Sequence, residues 1–184
     1  MTPAGIYLTG EAGAGKTTAA AILADLLGSR VYHLTAPLYA EARRRGAVGR
    51  DRLALQQIGD ELRARWGQDW LAVAVTEAAG RDGATLAIVD DVRLVAEGLF
   101  LSRQGWSGLR LAAPAEVRRR RLLARDGRLP PAGWEAHGTE TEVGRVPVVA
   151  VVSNDGSLSD LRTQLEQLAR DLGWCAEPVR ECQP

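Results

Sequence analysis

Apolar residues occur along the chain in short runs, and each run ends at a glycine or at polar residues. Such continuous runs are typical of strands that are buried on both faces of a sheet. Between them, apolar residues recur at intervals of three and four, the spacing of an amphipathic helix. The predicted strands cover residues 6–9, 31–34, 86–89, 108–111 and 146–152, and the predicted helices cover 16–27, most of 38–81, 92–104, a stretch that begins at Pro114, and 158–172.

Strands that alternate with helices of this length predict parallel βαβ units. Two segments do not fit the alternation. Residues 127–145 are rich in glycine, proline and polar residues, and they have the length of a functional loop. Residues 174–184 have little periodicity, and we expect them to form a loose tail. The chain, residues 1–184, is therefore predicted to form a single α/β domain.

The composition excludes several classes of protein. Of 184 residues, 46% are hydrophobic and 25% are charged, which predicts a folded globular chain. The formal net charge is zero, which disfavours a nucleic-acid partner. No apolar run has the length of a membrane span. The two cysteines both lie near the C-terminus, which excludes a disulfide framework and favours the cytoplasm.

Residues 10–17 match the phosphate-loop pattern G-x-x-x-x-G-K-[ST] in full, with a predicted strand before them and a helix that starts within them. Glycines allow successive N–H groups to point at phosphate oxygens, and the helix N-terminus adds partial positive charge. Lys16, the only lysine among 23 basic residues, is expected to reach the β- and γ-phosphates of ATP, and the Thr17 hydroxyl to coordinate Mg²⁺. The predicted ATP-binding residues here are Gly10, Gly13, Ala14, Gly15, Lys16, Thr17 and Thr18.

Two aspartates, Asp90 and Asp91, follow the predicted strand 86–89. Open α/β sheets bind ligands along the carboxyl edge of their strands, where the phosphate loop also opens. Both aspartates are therefore candidates for the Mg²⁺ site, and the alternative is that one of them caps the next helix. Arg93 is expected either to clamp a substrate phosphate or to form an i,i+4 ion pair with Glu97.

Arginines are concentrated on the predicted helix that begins at Pro114. At 100° per residue, Arg118, Arg121 and Arg125 share a face, whereas the two arginines at positions 119 and 120 point elsewhere. Guanidinium groups suit a transferring phosphoryl group, since their planar donors meet phosphate oxygens in pairs. We therefore expect Arg121 and Arg125 to act in catalysis, and the alternatives are a solvated helix face or a nucleic-acid patch.

Two later segments supply further candidate contacts. His137 and Glu140 lie in the 127–145 loop, which has the position of a lid that excludes water. The alternative for His137 is an ordinary solvated side chain. Asn154 and Gly156 follow the last predicted strand, where a bound purine would lie beside the phosphate loop, although Asn-Asp-Gly is also a favourable turn sequence.

Together these segments resemble the nucleoside monophosphate kinase branch of the P-loop kinases, and most closely the phage-type deoxynucleoside monophosphate kinases. The resemblance extends in order along the chain to about residue 172. It is carried by residues 10–17, 52–59, 69–70, 91–93 with Glu97, 137–140 and 154–156.

The resemblance implies a P-loop NTPase three-layer sandwich with a five-stranded parallel sheet in the order 2-3-1-4-5. A helical substrate-binding region at about 36–82 and a short lid at about 126–145 would flank the sheet. The implied reaction moves the γ-phosphoryl group of ATP, with Mg²⁺, to a nucleoside monophosphate. The expected catalytic residues are Lys16, Asp91, Arg93, Arg121 and Arg125, and the expected acceptor-binding residues are Arg52, Gln56, Asp69, Trp70, Arg93, His137 and Glu140.

Two alternative functions use the same motifs. Dephospho-CoA kinase and phosphomevalonate kinase look similar at this level, so the acceptor could be another small phosphorylated metabolite. An ATP-binding switch would also need a phosphate loop, but it would need switch-like loops or an interaction domain as well. The expected partner is a small-molecule nucleotide, and the protein is expected to act as a monomer or a homodimer.

Overall fold

Five parallel strands form a sheet in the computed structural model, which describes residues 3–46, 52–127 and 141–174, with the backbone alone at residues 52–54 and 56. The strands are β1 (Ala4–Thr9), β2 (Arg30–His33), β3 (Leu86–Val92), β4 (Ser107–Ala112) and β5 (Ala150–Ser153). Their order across the sheet is β2-β3-β1-β4-β5, and every neighbouring pair is parallel. The predicted P-loop NTPase fold and its strand order are confirmed.

Helices pack on both faces of this sheet. They are α1 (Lys16–Leu27), α2 (Ala36–Arg44), α3 (Arg52–Trp66), α4 (Trp70–Arg81), α5 (Val95–Arg103), α6 (Ala115–Asp126) and α7 (Leu158–Asp171), with a short 3₁₀ turn at Val143–Arg145. The predicted helical region before β3 is thus divided, and Gly67, at φ 101°, follows the end of α3 as the glycine break predicted.

The core has two halves because successive side chains of a strand point to opposite faces. On β1, Ile6 and Leu8 pack with α1 and α7, whereas Tyr7 packs with residues of α2, α3, α4 and α5. Thr9 follows two residues after Tyr7 and is fully buried. A polar side chain, that of Thr9, is therefore buried near the carboxyl end of β1.

Strand β3 is longer than the apolar pattern predicts. Asp90 and Asp91 lie inside it, and α5 begins only at Val95 rather than at residue 92. Asp91 has a left-handed backbone, with φ 63°, and the β1–β3 register shifts nearby, between Tyr7 and Thr9. The interpretation of either aspartate as a helix cap is therefore wrong, because both precede the helix by several residues.

Strand β5 is shorter than predicted, since it begins at Ala150 rather than at residue 146. Pro147 has no N–H to donate to a strand ladder. Its carbonyl oxygen instead accepts a hydrogen bond from the Tyr7 hydroxyl at 2.7 Å, and Val146 is buried. The chain before β5 thus crosses the sheet face as a packed loop.

The predicted lid and tail fall largely outside the described residues, which omit 128–140 and 175–184. Within the described residues, no helix has both the length and the apolar character that crossing a membrane requires.

Candidate active site

The phosphate loop connects the carboxyl end of β1 to the start of α1, and its glycines are required by close packing. Gly13 and Gly15 have φ values of 81° and 97°, which disfavour any residue with a side chain. A Cβ atom on Gly13 would lie 2.7 Å from the backbone oxygen of Arg118, and one on Gly15 would collide with the Asn154 amide. The backbone of the loop is therefore held in its curled form from several sides.

Lys16 is buried at the start of α1, and its ammonium group points back into the loop. The Nζ atom donates to the carbonyl oxygens of Gly10 and Glu11 at 2.7 and 3.1 Å. It also lies 3.1 Å from Oδ1 of Asp91. Burial lowers the pKa of Lys16, while the Asp91 charge opposes that change. The one lysine of the chain is thus fixed at the mouth of the phosphate loop.

Asp91 joins Lys16 to Arg93. The Nε and Nη2 atoms of Arg93 donate to the two carboxylate oxygens of Asp91 at 3.1 and 3.2 Å. Burial by itself raises the pKa of Asp91, but the charges of Arg93 and Lys16 outweigh it and hold that pKa below its usual range. The result is an ordered row of alternating charges, Lys16–Asp91–Arg93, at the carboxyl edge of the sheet.

Glu97 does not pair with the Arg93 guanidinium as the ion-pair alternative supposed. Its Oε2 atom accepts the backbone N–H groups of Arg93 and Leu94, each at 3.0 Å. Burial raises the pKa of this carboxyl group, and the two backbone hydrogen bonds lower it only in part. Glu97 therefore fixes the backbone at the start of α5, which leaves the Arg93 side chain directed at Asp91.

Asp90 is buried, and its Oδ2 lies 3.0 Å from Nδ1 of His33 at the end of β2. Burial raises the pKa of Asp90, against the opposing effect of His33. Since Asp90 follows Ile88 by two residues, it points to the α1 side of the sheet, the side on which the exposed Thr17 begins the helix.

The donor set fits a magnesium ion that is held largely by phosphate oxygens. Across the described ranges 3–46, 52–127 and 141–174, no group of three or more His, Cys, Asp or Glu side chains could hold a metal ion. Mg²⁺ in phosphoryl-transfer enzymes commonly takes one or two protein oxygens, with phosphates and waters in its remaining positions. Thr17 and Asp90 suit that role better than Asp91, whose oxygens already accept from Lys16 and Arg93.

The arginines of α6 divide as their helical spacing predicts. Arg118 lies 2.9 Å from Glu11 of the phosphate loop, and Arg121 donates to the carbonyl oxygen of Asn154 at 2.9 Å. Arg125 pairs with the adjacent Asp126 at 2.7 Å and is more exposed. Arg119 and Arg120 are exposed.

Asn154 connects the last strand to the phosphate loop. Its side-chain amide donates to the carbonyl oxygen of Ala14 at 2.8 Å, and both residues are buried. Gly156 lies in the turn before α7, against the side chain of Asp160, and Thr18 is exposed in the first turn of α1. The three residues thus border the loop, and their role toward ATP stays a prediction.

The predicted acceptor residues are only partly described. His137, Glu140 and the side chains of Arg52 and Gln56 lie outside the described residues. Asp69 immediately precedes α4. Trp70 is buried in the core, with its ring 5.6 Å from that of Trp66 in an edge-to-face arrangement, and its indole N–H has no partner within the described residues.

Sequence reasoning missed two side chains near this site. His33 is the last residue of a short, partly exposed strand, and its contact with Asp90 depends on the pairing of β2 with β3. Arg63 is largely buried, although it lies in a polar stretch of α3. Its helical spacing from positions 52, 56 and 59 is the signal that would have identified it.

Comparison with solved structures assigns the chain to a family. TT1252 from Thermus thermophilus is 30% identical, with a TM-score of 0.60, over 94% of this chain and 99% of that one. The chain belongs to the family of TT1252. Shikimate kinase from Acinetobacter baumannii is 20% identical over 93% of this chain and 95% of that one, with a TM-score of 0.55. A gluconokinase from Sinorhizobium meliloti 1021 is 19% identical over 94% and 97%, with a TM-score of 0.57.

The fold of this TT1252 family member is thus the P-loop kinase fold. No protein-family model and no curated protein sequence matches the chain. None of the three neighbours is described as a deoxynucleoside monophosphate kinase.

Proposed function

We propose that the chain is a (deoxy)nucleoside monophosphate kinase, which transfers the γ-phosphoryl group of ATP to a nucleoside monophosphate and releases ADP and a nucleoside diphosphate. The observation that carries the proposal is the row Lys16–Asp91–Arg93, with contacts of 3.1 Å on each side of Asp91. Lys16 belongs to the ATP side of the row, and Arg93 lies on the other side of Asp91, just before α5. A phosphoryl group that passes between two phosphates needs this sequence of fixed charges.

On the ATP side, the phosphate loop presents its backbone N–H groups and Lys16 to the β- and γ-phosphates. Arg121 and Asn154, which are tied to each other and to the loop, border the same space. Thr17 and Asp90 would hold Mg²⁺, with Asp91 as the neighbouring carboxylate. When bound, Mg²⁺ supplies positive charge to the phosphate oxygens of ATP.

On the acceptor side, a phosphate oxygen of the monophosphate attacks the γ-phosphorus, and the bond from that phosphorus to the β–γ bridging oxygen of ATP breaks. Arg93 would orient the acceptor phosphate, since Asp91 and the backbone bonds to Glu97 fix its position. Arg52, Gln56, Asp69, Trp70, His137 and Glu140 are proposed to hold the remainder of the acceptor. This route needs no nucleophile from the protein.

A kinase for another small metabolite is the second candidate, and the Asp90–His33 pair favours it. A hydroxyl acceptor has to give up a proton, whereas a phosphate acceptor does not. The pair lies at the same carboxyl edge as Lys16 and would supply a proton acceptor there. The shared fold with shikimate kinase and gluconokinase is compatible with this alternative.

The deciding experiment measures ADP production from ATP and Mg²⁺ with each common ribo- and deoxyribonucleoside monophosphate, and with dephospho-CoA and phosphomevalonate on the same plate. Turnover that depends on a nucleoside monophosphate supports the proposal and ranks the bases. Turnover with a metabolite alone contradicts it in favour of the second candidate. Slow ATP hydrolysis that no acceptor changes would instead indicate an ATP-binding switch.

A further inference from the structure

We propose that Arg63 on α3 binds the phosphate group of the acceptor, as a second arginine opposite Arg93. This inference rests on the proposed phosphate acceptor and adds a residue that neither the motifs nor the resemblance supplied. The Arg63 side chain is only 12% exposed. Within the described residues, its side chain makes one long hydrogen bond, 3.4 Å from Nη1 to Oδ1 of Asp60, and its Nε has no partner.

This amount of pairing is too small for a buried arginine. A guanidinium group stays charged at any physiological pH, and it carries five N–H donors. Burial of such a group is costly unless an anion and further hydrogen bonds compensate for the lost water. Asp60 offers weak compensation, because its carboxylate is 58% exposed. Within the described residues, the Arg63 guanidinium therefore retains donor capacity for an anion.

The guanidinium group lies against the backbone of α3, in the space beside α2. A Cβ atom on Gly59 would be 3.1 Å from Nη1 of Arg63 and 3.9 Å from Cδ1 of Leu38 on α2. The absence of a side chain at Gly59 thus leaves room for the guanidinium. Leu38 belongs to the same half of the core as Trp70, so Arg63 lies on the face of the sheet beneath α2–α5.

Arg63 also lies near the start of α5. Burial is the main influence on the pKa of Glu97 and raises it, but the charge of Arg63 acts on the same carboxyl group and lowers it in part. Glu97 is the residue that holds the backbone of Arg93. Both arginines therefore act on Glu97, Arg93 through its backbone N–H and Arg63 through its charge. The Oε2 atom of Glu97 accepts two backbone N–H groups, and within the described residues Glu97 forms no ion pair with Arg63.

Helical spacing connects Arg63 with the predicted acceptor residues. Positions 52, 56, 59 and 63 follow one another at intervals of four, three and four, so they lie along one face of α3. Positions 56 and 52 are thus on the face that also carries Arg63, about two and three turns away. Two arginines that converge on one phosphate can each donate a pair of hydrogen bonds, which favours phosphate over a neutral group.

The test uses Arg63→Gln and Arg63→Lys, with Arg65→Gln as the matched control. Arg65 is exposed on the same helix, with its guanidinium 5.5 Å from the Trp66 ring. With the nucleoside monophosphate of highest turnover, Arg63→Gln should raise the acceptor KM by about 10- to 100-fold, as expected for loss of a charge-assisted pair of hydrogen bonds. The KM for ATP should change by less than about twofold, and Arg63→Lys should restore part of the loss.

An unchanged acceptor KM in a folded Arg63→Gln variant, or equal rises for acceptor and ATP, would overturn the proposal. Two-dimensional NMR of the ¹⁵N-arginine wild-type chain provides a second test that needs neither turnover nor a destabilised variant. Titration with inorganic phosphate should shift the Arg63 Nε–H signal. This signal is assigned as the one that is missing from the spectrum of Arg63→Lys. A signal that does not move rejects Arg63 as a phosphate ligand, whereas a shifted signal without turnover of any nucleoside monophosphate rejects the proposed function alone.

Discussion

The ATP side and the acceptor side of the site differ in how fully the protein pairs its own polar groups. On the ATP side, Lys16 donates to two loop carbonyls, and the Asn154 amide donates to a third. On the acceptor side, the Nε of Arg63 and the indole N–H of Trp70 are buried without a partner within the described residues. Buried donors are normally paired. Thr9 Oγ1, directly before the phosphate loop, is the one ATP-side atom without a partner within the described residues. In the proposed function, the protein's own contacts therefore hold most of the ATP side in place, and the acceptor phosphate would pair with the free donors of Arg63.

The largest expected effect is that of Lys16→Ala on the ATP side. We expect kcat to fall by at least about 10²–10³-fold, because a fixed positive charge is removed from the transferring phosphoryl group. The fold should survive, since the ammonium binds the loop rather than the apolar core. Steady-state ADP release measures the loss, and a thermal melt verifies the fold. Transfer at the wild-type rate in the folded variant would remove Lys16 from the mechanism.

A smaller effect, confined to the acceptor side, is expected for Arg93→Ala. The acceptor KM should rise by about 10- to 100-fold, because a charge-assisted contact with phosphate is lost. ATP binding should weaken much less, and separate calorimetric titrations of the two ligands check both values. Arg103→Ala, at an exposed position of the last turn of α5, is the control. Equal losses for both ligands would mean that Arg93 serves mainly to hold Asp91.

Gly59→Ala separates stability from function. Alanine in place of glycine inside a helix stabilises the helix by about 0.5–1 kcal/mol. The melting temperature should therefore rise if the Arg63 side chain can move away from the new methyl group. The new methyl group would nevertheless push on Nη1 of Arg63, 3.1 Å away. We therefore expect the acceptor KM to rise a few-fold while the KM for ATP is unchanged.

The double variant Gly59→Ala with Arg63→Gln tests whether this effect passes through the arginine. In that background, Gly59→Ala should no longer change the acceptor KM, because contacting residues give non-additive effects. An additive rise would show that the methyl group acts on the acceptor by another route.

The smallest effect concerns pH and the buried carboxyl group of Glu97. Burial raises the pKa of Glu97 above its ordinary 4.5, so the folded chain retains this proton to a higher pH than the unfolded chain. Its contribution to the free energy of unfolding is therefore complete below pH 4.5 and declines as pH rises through the raised pKa. Urea unfolding of wild type and Glu97→Gln across this range should give a difference that changes in this direction. A difference independent of pH would contradict it.

The fold and the phosphate loop could be predicted because local patterns determine them. Continuous apolar runs identified β1 and β3, and the glycine-rich motif placed Lys16 between strand and helix. The end of β3 could not be predicted in the same way, since the left-handed Asp91 and the shifted register have no signature in the apolar pattern. Strand β5 begins later than predicted because Pro147, which lies within the predicted strand, has no N–H to pair with a neighbouring strand.

Side-chain partners were harder to predict than backbone elements. The spacing of Arg93 and Glu97 indicated an ion pair, but the free N–H groups at the start of α5 compete for the same carboxylate. The burial of Arg63 could not be predicted from its polar surroundings in the sequence. It depends on the missing side chain at Gly59 and on the neighbouring helix α2. Such contacts arise from tertiary packing, which a single sequence does not show.

Since Lys16 is the only lysine, the chain has one side-chain primary amine, and that amine lies at the phosphate loop. Burial lowers its pKa, so a larger fraction of this amine is in the nucleophilic form than for an exposed lysine. An acyl phosphate derivative of a nucleotide would deliver its acyl group to this nitrogen alone, apart from the α-amino group. The mass of the intact chain would then give the fraction of molecules that carry the acyl label. A nucleotide that binds at the phosphate loop would lower this fraction, so nucleotides could be ranked by their binding without an assay for product.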